Sequence, residues 1–246
     1  ISRGDYVMNS PLGAKGNAGV FGGVLHSLRA KGVEPITTTD GPSGIRLSAS
    51  CSLMPVGTLF ACSFNPELVE KVYSAIAAER KAKGSDGLLA PGMNIHRNPL
   101  CGRNFEYYSQ DPLLAGKFGA AFVRGVQSMG VSACLKHFAL NNQENFRFIG
   151  NSVADERAIR EIYLKPFETA VNEAKPVAVM SSYNQITGTF ASENKWLLTD
   201  VLREEWGFDG IVMSDWGGTH DRIAGIRAGE DLEMPGDTAV SLKNVY

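Results

Sequence analysis

The segment Ile211-Val-Met-Ser-Asp-Trp-Gly-Gly-Thr-His220 joins a short apolar run to groups that can do chemistry. The run ends at the carboxyl group of Asp215 and the aromatic ring of Trp216, and the next two residues are glycines that can turn the chain. A buried strand that carries a carboxylate and an aromatic side chain at its C-terminal end is typical of an active-site strand in a (β/α) barrel. The alternative is a strand end at which Asp215 caps a helix and Trp216 belongs to the core.

Other apolar runs end in the same way, at a polar or pocket-forming side chain, and two loops add arginines. These residues are Asp40, Lys136, His137, Met180 and Tyr183 at the run ends, and Arg103 and Arg147 in the loops. Gathered on one face, they would line a pocket with many directed hydrogen bonds. A sugar needs such a pocket because each hydroxyl group both donates and accepts, whereas a phosphate site would need the cations without Asp40 and Asp215.

Each of these residues also has a simpler interpretation. Lys136 can be a surface lysine, His137 a core histidine with its hydrogen bonds satisfied, and Arg103 the ion-pair partner of Glu106. Two other functional classes also remain open. One is a barrel aldolase or isomerase that uses Lys136 as a Schiff base, and the other is a sugar-binding barrel without catalysis. The joint occurrence of the residues favours an enzyme that acts on a sugar.

Amphipathic helices alternate with the apolar runs. The predicted helices begin at Asn65, Asp111, Asp155 and Ser192 and end near Gly84, Gly130, Ala174 and Gly207, with a bend at Pro166. The predicted strands cover residues 35–39, 54–60, 88–95, 131–138, 176–183, 211–215 and 231–234. Uniformly apolar strands between amphipathic helices indicate a parallel sheet covered on its outer face. The pattern predicts an α/β fold, a (β/α)8-like TIM barrel in a single domain over residues 1–246.

Composition argues against several functions. The chain has 246 residues, a formal net charge of −2 and a pI near 6.1, so it lacks the basic surface typical of nucleic-acid binding. No apolar run approaches the roughly 20 residues of a membrane span. The cysteines form no CxxC pair and no GxGxxG follows the first strand, so we expect neither a metal nor a cofactor. The chain begins at Ile1 without a signal peptide, which predicts a processed product or a fragment and favours a cytoplasmic location.

A set of motifs occurs in a fixed order over about residues 33–236. They are Thr39-Asp-Gly-Pro-Ser-Gly, Gly102-Arg-Asn-Phe-Glu, Lys136-His-Phe, Arg160-Glu-Ile-Tyr-Leu-Lys-Pro-Phe, Val179-Met-Ser-Ser-Tyr-Asn, Leu202-Arg-Glu-Glu-Trp-Gly-Phe and Val212-Met-Ser-Asp-Trp. In order and spacing the set resembles the catalytic barrel of glycoside hydrolase family 3, in its β-glucosidase branch. The resemblance implies hydrolysis of terminal, non-reducing β-D-glucosyl residues, with a β-xylosidase of the same family as the alternative.

The resemblance also implies a role for each candidate residue. Asp215 would be the nucleophile of a retaining double displacement, kept ionised by the cations around it. Trp216 would form an aromatic wall near the leaving group. The glycone in subsite −1 would be held by Asp40, Arg103, Lys136, His137, Arg147, Met180 and Tyr183. Because relatives carry non-proline cis peptides around Lys-His-Phe, we expect one beside His137.

The second catalytic carboxyl group is not identified within the chain. In the β-glucosidase branch it is a Glu from a following α/β sandwich domain, which would act in cis or in trans. The other branch of the family uses an Asp/His pair after Lys-His-Phe-Pro-Gly-His-Gly, and the sequence that follows Lys136 here does not match it. Glu106 and Glu144 are interpreted as structural. The barrel is expected to be incomplete at both ends, with its final helix after Met234 missing or only begun.

Overall fold

A curled sheet forms the centre of the molecule in the computed structural model, which describes residues 12–23 and 26–236. Its strands are β1 (Gly19–Gly22), β2 (Pro35–Asp40), β3 (Gly87–Leu89), β4 (Ser132–Phe138), β6 (Ala178–Ser181) and β9 (Ile211–Ser214), in that spatial order. A small second sheet contains β5 (Asn151–Ser152), β7 (Gln185–Ile186) and β8 (Thr189–Phe190). Strand β1 pairs antiparallel with β2, and the other neighbours in the main sheet are parallel.

Helical segments connect the strands of the main sheet. They are α1 (His26–Arg29), α2 (Gly57–Ala61), α3 (Pro66–Ala82), α4 (Pro112–Gln127), α5 (Glu156–Ala158), α6 (Lys165–Ala174) and α7 (Arg222–Ala228), together with two π-helical segments, Ile159–Tyr163 and Trp196–Glu205, and two 3₁₀ turns, Asn104–Glu106 and Ala191–Glu193. The two longest α-helices begin as predicted. The Asn65 side chain accepts from the Leu68 amide at 2.9 Å, and the Asp111 side chain accepts from the Leu114 amide at 3.0 Å.

Two apolar clusters separate the inside of the curled sheet from its outside. The inner cluster contains Phe21, Leu89, Cys134, Ala178, Met180, Met213, Leu232 and Met234. The larger outer cluster packs the sheet against its helices. A Cβ atom built on Gly19 of β1 would lie 2.9 Å from the Met234 methyl carbon, so the sheet curls until its first strand reaches the segment after β9. The fold is a TIM-barrel-like α/β sheet, and it is an incomplete barrel, as predicted.

The predicted strand over residues 54–60 is wrong. The chain forms α2 there, beginning at Gly57, and β2 pairs directly with β3 through Asp40 and Leu89. No position between these strands is left for another one. An apolar run of seven residues fits a strand or a buried helical turn equally well, and Pro55, which has no amide hydrogen, disfavours a central strand.

Several other predicted strands are shorter than expected, and strands β1, β5, β7 and β8 were not predicted. The run 88–95 is a strand only over Gly87–Leu89, and a single bridge joins Gly92 to Lys136. The run 231–234 contributes one bridge, between Leu232 and Met213. Strand β1 was not predicted because it has four residues, two of them glycines, and so carries no apolar pattern.

Two helix predictions need correction. Ser192 is not the cap of its helix: its hydroxyl donates to the Gly218 carbonyl at 2.8 Å, and the Asn194 side chain accepts from the Leu197 amide instead. The helix predicted from Asp155 to Ala174 is divided into α5, a π-helical segment and α6, with the break at Leu164 just before Pro166. The helix expected after Met234 lies outside the described residues. Within those residues, no helix is both long and apolar enough to cross a membrane.

Candidate active site

A pocket of about 430 Å³ opens where the parallel strands of the main sheet end. It is lined by Ala18, Asp40, Arg46, Arg103, Phe105, Glu106, Lys136, Glu144, Arg147, Met180, Tyr183, Asp215 and Trp216. Eight of the nine predicted site residues are in this lining, and His137 is the exception. Parallel strands bring their C-terminal ends to one edge of a sheet, which is why residues far apart in sequence meet here.

The strand register places the pocket residues. Strand β2 ends at Asp40 and β4 carries Lys136. Strands β6 and β9 run in parallel with Ser181 beside Ser214, and the amide of the next residue, Asp215, donates to the Ser181 carbonyl at 3.1 Å. The carboxyl group of Asp215 therefore leaves the sheet where β9 ends, next to Tyr183, which follows β6.

His137 lies behind the pocket wall and is fully buried. Its Nε2 atom is 3.6 Å from Oδ2 of Asp215, and its Nδ1 atom is 3.1 Å from the Tyr107 hydroxyl. Its main chain is held by the Asn94 side chain, which donates to the His137 carbonyl and accepts from its amide, both at 2.9 Å. His137 therefore contacts the pocket through Asp215, and its expected part in holding the glycone stays a prediction.

The imidazole of His137 is neutral. Burial lowers its pKa well below the usual value, and the nearby cations, Arg103 foremost, lower it further. The Tyr107 hydroxyl accepts from the Asn141 amide at 3.3 Å and can donate to Nδ1, which leaves the ring proton on Nε2, the nitrogen facing Asp215. The peptide bond between Lys136 and His137 is cis, as predicted, and so is the bond between Phe138 and Ala139.

Positive and negative side chains are equal in number around the pocket. The carboxylates are Asp40, Glu106, Glu144 and Asp215, and the cations are Arg46, Arg103, Lys136 and Arg147. Three ion pairs join them: Lys136 to Asp40 at 2.9 Å, Arg147 to Glu144 at 2.6 Å, and Arg103 to Glu106. Asp215 is the one carboxylate of the lining that forms no ion pair with lysine or arginine within the described residues.

Asp215 is nearly buried, and its two carboxylate oxygens have different surroundings. Its Oδ1 atom accepts from the Trp216 amide at 2.8 Å, while Oδ2 is buried and has no hydrogen-bond partner within the described residues. Burial raises the pKa of Asp215, although Lys136, Arg103 and hydrogen bonds from the Trp216 amide and the Tyr183 hydroxyl act to lower it. The cations favour the ionised form, as expected, but desolvation is the larger effect and the net shift of the pKa is upward.

For the pKa of Asp40 the nearby cations outweigh burial, which is the opposite of what is found for Asp215. Burial would raise its pKa, but Lys136, by charge and by its hydrogen bond, and then Arg46 and Arg103 bring the pKa below its usual value. The Lys136 side chain is only 4% exposed, and the pKa of this lysine is raised: burial opposes its charge, but Asp40 more than compensates. The pair is thus a fixed anion and a fixed cation side by side.

One wall of the pocket is built from stacked flat groups. The Arg147 guanidinium lies over the Tyr183 ring, 4.5 Å from its centroid, and the Phe148 ring packs on the same tyrosine with a centroid distance of 4.4 Å. Arg147 is therefore oriented both by this stack and by its ion pair with Glu144.

Sequence reasoning missed part of the lining. Arg46 was not chosen, although its amide donates to the Asp40 carbonyl at 3.0 Å and so lies directly beside that strand end. Ala18 precedes the unpredicted strand β1 and carried no signal. Phe105 stands between Arg103 and Glu106, and it is half exposed at the pocket mouth. No group of three or more His, Cys, Asp or Glu side chains suited to a metal ion occurs in residues 12–23 and 26–236.

Comparison with known proteins gives consistent matches. Residues 27–235 match the family model described as the glycosyl hydrolase family 3 N-terminal domain. The chain is 47% identical over 226 residues to thermostable β-glucosidase B of Acetivibrio thermocellus, covering 87% of this chain and 30% of that protein. It is 48% identical over 224 residues to an exo-α-(1→6)-L-arabinopyranosidase of Bifidobacterium longum, covering 86% of this chain and 30% of that protein.

A solved structure matches the same region. β-Glucosidase 3B of Thermotoga neapolitana, in complex with α-D-glucose, superimposes with a TM-score of 0.87 and 47% identity, covering 90% of this chain and 32% of that chain. The chain therefore spans about a third of the length of the relatives that it matches.

Proposed function

The chain belongs to glycosyl hydrolase family 3, and from that premise we propose that the complete enzyme removes terminal, non-reducing β-D-glucosyl residues with Asp215 as its nucleophile. The observation that carries the proposal is the state of the pocket carboxylates. Three of them are bound by a lysine or an arginine, whereas Asp215 forms no such ion pair within the described residues. A nucleophilic carboxylate must not be held by a cation, and among the lining carboxylates Asp215 alone meets this condition.

The reaction is a double displacement with retention of configuration. A carboxylate oxygen of Asp215 attacks the anomeric carbon as the bond to the leaving oxygen breaks, which gives a covalent glycosyl-enzyme. Water then attacks the same carbon and releases Asp215 and the sugar. The neutral imidazole of His137 lies behind Asp215, 3.6 Å from Oδ2, and places no competing positive charge beside the nucleophile.

The other pocket residues bind the glycone. The Asp40 carboxylate accepts from two neighbouring sugar hydroxyls, while Lys136, Arg103 and Arg147 donate to hydroxyl oxygens. Charged side chains that are held in place on either side of the sugar ring are suited to these hydrogen bonds. Apolar contacts complete the pocket: Met180 and Trp216 pack on the carbon faces of the sugar, with Trp216 toward the leaving group.

The acid/base group comes from outside the described residues. Asp40, Glu106 and Glu144 are engaged with Lys136, Arg103 and Arg147 and so are not free to protonate a leaving group. A retaining glycosidase needs its two carboxyl groups about 5–5.5 Å apart. We place the second one on a Glu of an α/β sandwich domain that covers the pocket mouth beside Trp216, in cis or in trans. The length of the relatives, about three times the matched region, leaves room for such a domain.

The stereochemistry of the product tests the proposal. The complete enzyme is incubated with p-nitrophenyl β-D-glucopyranoside, and the anomer released first is recorded by proton NMR before mutarotation. The β-anomer is expected. Release of the α-anomer first, or no hydrolysis, would contradict the mechanism. The β-D-xylopyranoside and the α-L-arabinopyranoside are assayed in parallel, the latter because one relative carries that activity in its name.

A comparison of two substrates tests the missing acid. Chain 1–246 alone is expected to be nearly inert on cellobiose, whose leaving group needs a proton, and to regain activity when the flanking domain is supplied. General acid catalysis contributes about 10²–10⁴-fold. An activated aryl glucoside needs little protonation, so its cleavage by chain 1–246 is expected to be affected less. Full cellobiose activity of the isolated chain would place the acid within these residues, with Glu106 and Glu144 the first to replace.

A further inference from the structure

A buried carboxyl group lies beneath the loop that follows Asp215. Glu230 comes after α7 and the left-handed Gly229, and only 8% of its surface is exposed. Its side chain points to the loop after β9, where the Thr219 hydroxyl donates to Oε1 at 2.8 Å and lies 3.1 Å from Oε2. Glu230 therefore contacts the loop that follows Asp215.

The position of this carboxyl group is tightly confined. A Cβ atom built on Gly225 of α7 would lie 2.4 Å from Oε2 of Glu230, closer than any real contact allows. Gly225 also accepts the Glu230 amide through its carbonyl at 3.0 Å. The glycine thus gives the carboxyl group just enough room, and the group cannot turn away from Thr219 into α7.

No cation balances Glu230. Within the described residues it forms no ion pair, and the two ionisable groups that act on it, Glu233 and Glu193, are both acidic. Burial, followed by the Glu233 charge, raises the pKa of Glu230 to about 8, against the lowering effect of the Thr219 and Ser214 hydroxyls. At neutral pH the group is a carboxylic acid.

The other charged side chains of the neighbouring segments are bound elsewhere. Arg222 pairs with Glu233, and His220 lies 3.9 Å from the Glu193 carboxylate. Asp221 caps α7 by accepting from the Ala224 amide at 3.0 Å. Asp231 accepts from the Val212 amide at 2.8 Å and from Arg203 at 2.6 Å. Neither Arg222 nor His220 is therefore available to neutralise an ionised Glu230.

The loop after Asp215 is fixed at several points. The Gly218 amide donates to the Asp215 carbonyl at 2.8 Å, and the Ser192 hydroxyl donates to the Gly218 carbonyl at 2.8 Å. At the far end, Glu193 accepts from the amides of residues 220 and 221. Thr219 lies between these two anchors, and its side chain is bound to Glu230. This contact ties the middle of the loop to the body of the barrel.

We propose that Glu230 is a positioning residue for the reaction: its uncharged carboxyl group, bound to Thr219, fixes the loop that aims Asp215 and Trp216 into the pocket, and its ionisation releases that loop. The inference rests on the proposed role of Asp215. An ionised Glu230 would be a buried charge facing two other acids, and its escape toward water would pull Thr219 and the loop out of place.

The pH dependence of catalysis tests the inference. The substrate is 2,4-dinitrophenyl β-D-glucopyranoside, whose leaving group needs no acid, so the titration of the acid/base group does not control kcat/KM. The complete wild-type enzyme is expected to lose activity above about pH 8, approaching about tenfold per pH unit. Glu230→Gln, which keeps the shape and cannot ionise, is expected to stay within about threefold of wild type at pH 7 and to lose this alkaline limb. An alkaline limb unchanged in Glu230→Gln overturns the proposal.

A second variant removes the contact without touching the acid. Thr219→Val keeps the shape of the side chain but lacks the hydroxyl, and it is expected to lower kcat by about tenfold, the scale of one hydrogen bond to a buried polar group, with KM changed less. Equal kcat in Thr219→Val and wild type, at pH 7 and at pH 9, contradicts the positioning role even where Glu230→Gln does not fold.

Thermal unfolding separates a failure of this inference from a failure of the proposed function. Below about pH 8 the folded protein keeps a proton on Glu230 that the unfolded chain releases near pH 4.3, so the stability of wild type falls relative to Glu230→Gln as pH rises between these values. The same pH-dependent difference in Tm is expected in an Asp215→Asn background, which has no activity to measure. A difference in Tm that is constant with pH would show that Glu230 is not buried as the acid. If the difference in Tm changes with pH as expected but glucosides are not cleaved, the proposed function is contradicted, whereas the buried, protonated state of Glu230 is supported.

Discussion

Two aspartates of the same pocket differ in almost every physical respect. Asp40 ends β2, its side chain is 37% exposed, and it is paired with Lys136 at 2.9 Å. Asp215 follows β9, its side chain is 10% exposed, and Oδ2 has no partner within the described residues. The pKa of Asp40 is lowered and that of Asp215 is raised. Identical side chains thus become a permanent anion and a reactive carboxyl group through their surroundings alone.

The difference shows how the site assigns roles. A carboxylate held by a buried ammonium group keeps its charge and its direction, which suits hydrogen bonding to sugar hydroxyls. A carboxylate that lacks such a partner is less well stabilised and can give its electrons to carbon. Substitutions that change one member of this contrast are therefore expected to have unequal effects.

The largest effect is expected from Asp215→Asn. The amide keeps the shape and lacks the attacking charge, so kcat on an aryl β-glucoside should fall by about 10⁴-fold or more, the scale of losing a nucleophile. Glucose binding, measured by calorimetry, should persist. The matched control is Asp209→Asn, at an exposed position in the turn before β9, which should leave kcat unchanged. Near-wild-type turnover by Asp215→Asn would remove the contrast between the two aspartates.

Asp40→Asn is expected to weaken binding and stability rather than abolish chemistry. It removes a charged acceptor for the sugar and leaves the Lys136 ammonium buried without its partner, which should raise KM by about 10–100-fold and cost about 2 kcal/mol of unfolding free energy. The control is Glu173→Gln, which breaks the exposed pair with Lys117 and should cost under about 1 kcal/mol. Equal losses of stability in the two variants, measured by chemical denaturation, would contradict the distinction between them.

The pH dependence of the reaction should reflect the raised pKa of Asp215. The nucleophile must be ionised, and its pKa is raised, so activity on an activated glucoside should fall as the pH drops at a value above that of an ordinary aspartate, about 3.9. The loss should approach tenfold per pH unit below that point. The limb is read from kcat/KM of the complete enzyme, with stability at each pH checked by circular dichroism. An acidic limb at or below the ordinary aspartate value would show that the cations outweigh burial.

The smallest effect is expected from Tyr183→Phe. The lost hydroxyl is one of the groups that favour the ionised form of Asp215, so its removal should move the acidic limb to a higher pH and lower kcat/KM at pH 6 by about tenfold, the scale of one hydrogen bond to a charged group. Phe148→Leu, which alters the stack on the same ring but keeps the hydroxyl, is the control and should not move the limb. A limb that shifts equally in both variants would assign the effect to packing.

The order of strands and helices was largely predictable from the sequence because apolar runs, caps and terminating glycines are local signals. The helix that begins at Asn65 and the strand that delivers Lys136 follow from such signals. The predicted strand at 54–60 failed because neighbours in the sheet, here β2 and β3, decide whether an apolar run finds a place.

The pairing of charges inside the pocket was not predictable. Strand ends showed which side chains would meet, but not that Lys136 would bind Asp40 or that His137 would lie behind Asp215. Those contacts depend on distances of a few ångströms across different strands. The same limit explains why the net rise of the Asp215 pKa was not expected: the cations are visible in the sequence, whereas burial depends on the whole fold.

Trapping of the glycosyl-enzyme identifies the nucleophile directly. The complete enzyme is incubated with 2,4-dinitrophenyl 2-deoxy-2-fluoro-β-D-glucopyranoside, digested, and analysed by tandem mass spectrometry. We expect one fluoroglucosyl group per chain, attached to Asp215, with no labelling of the Asp215→Asn variant and unchanged labelling of Asp209→Asn. A sugar attached to Asp40, Glu106 or Glu144, or labelling that survives Asp215→Asn, would contradict this assignment.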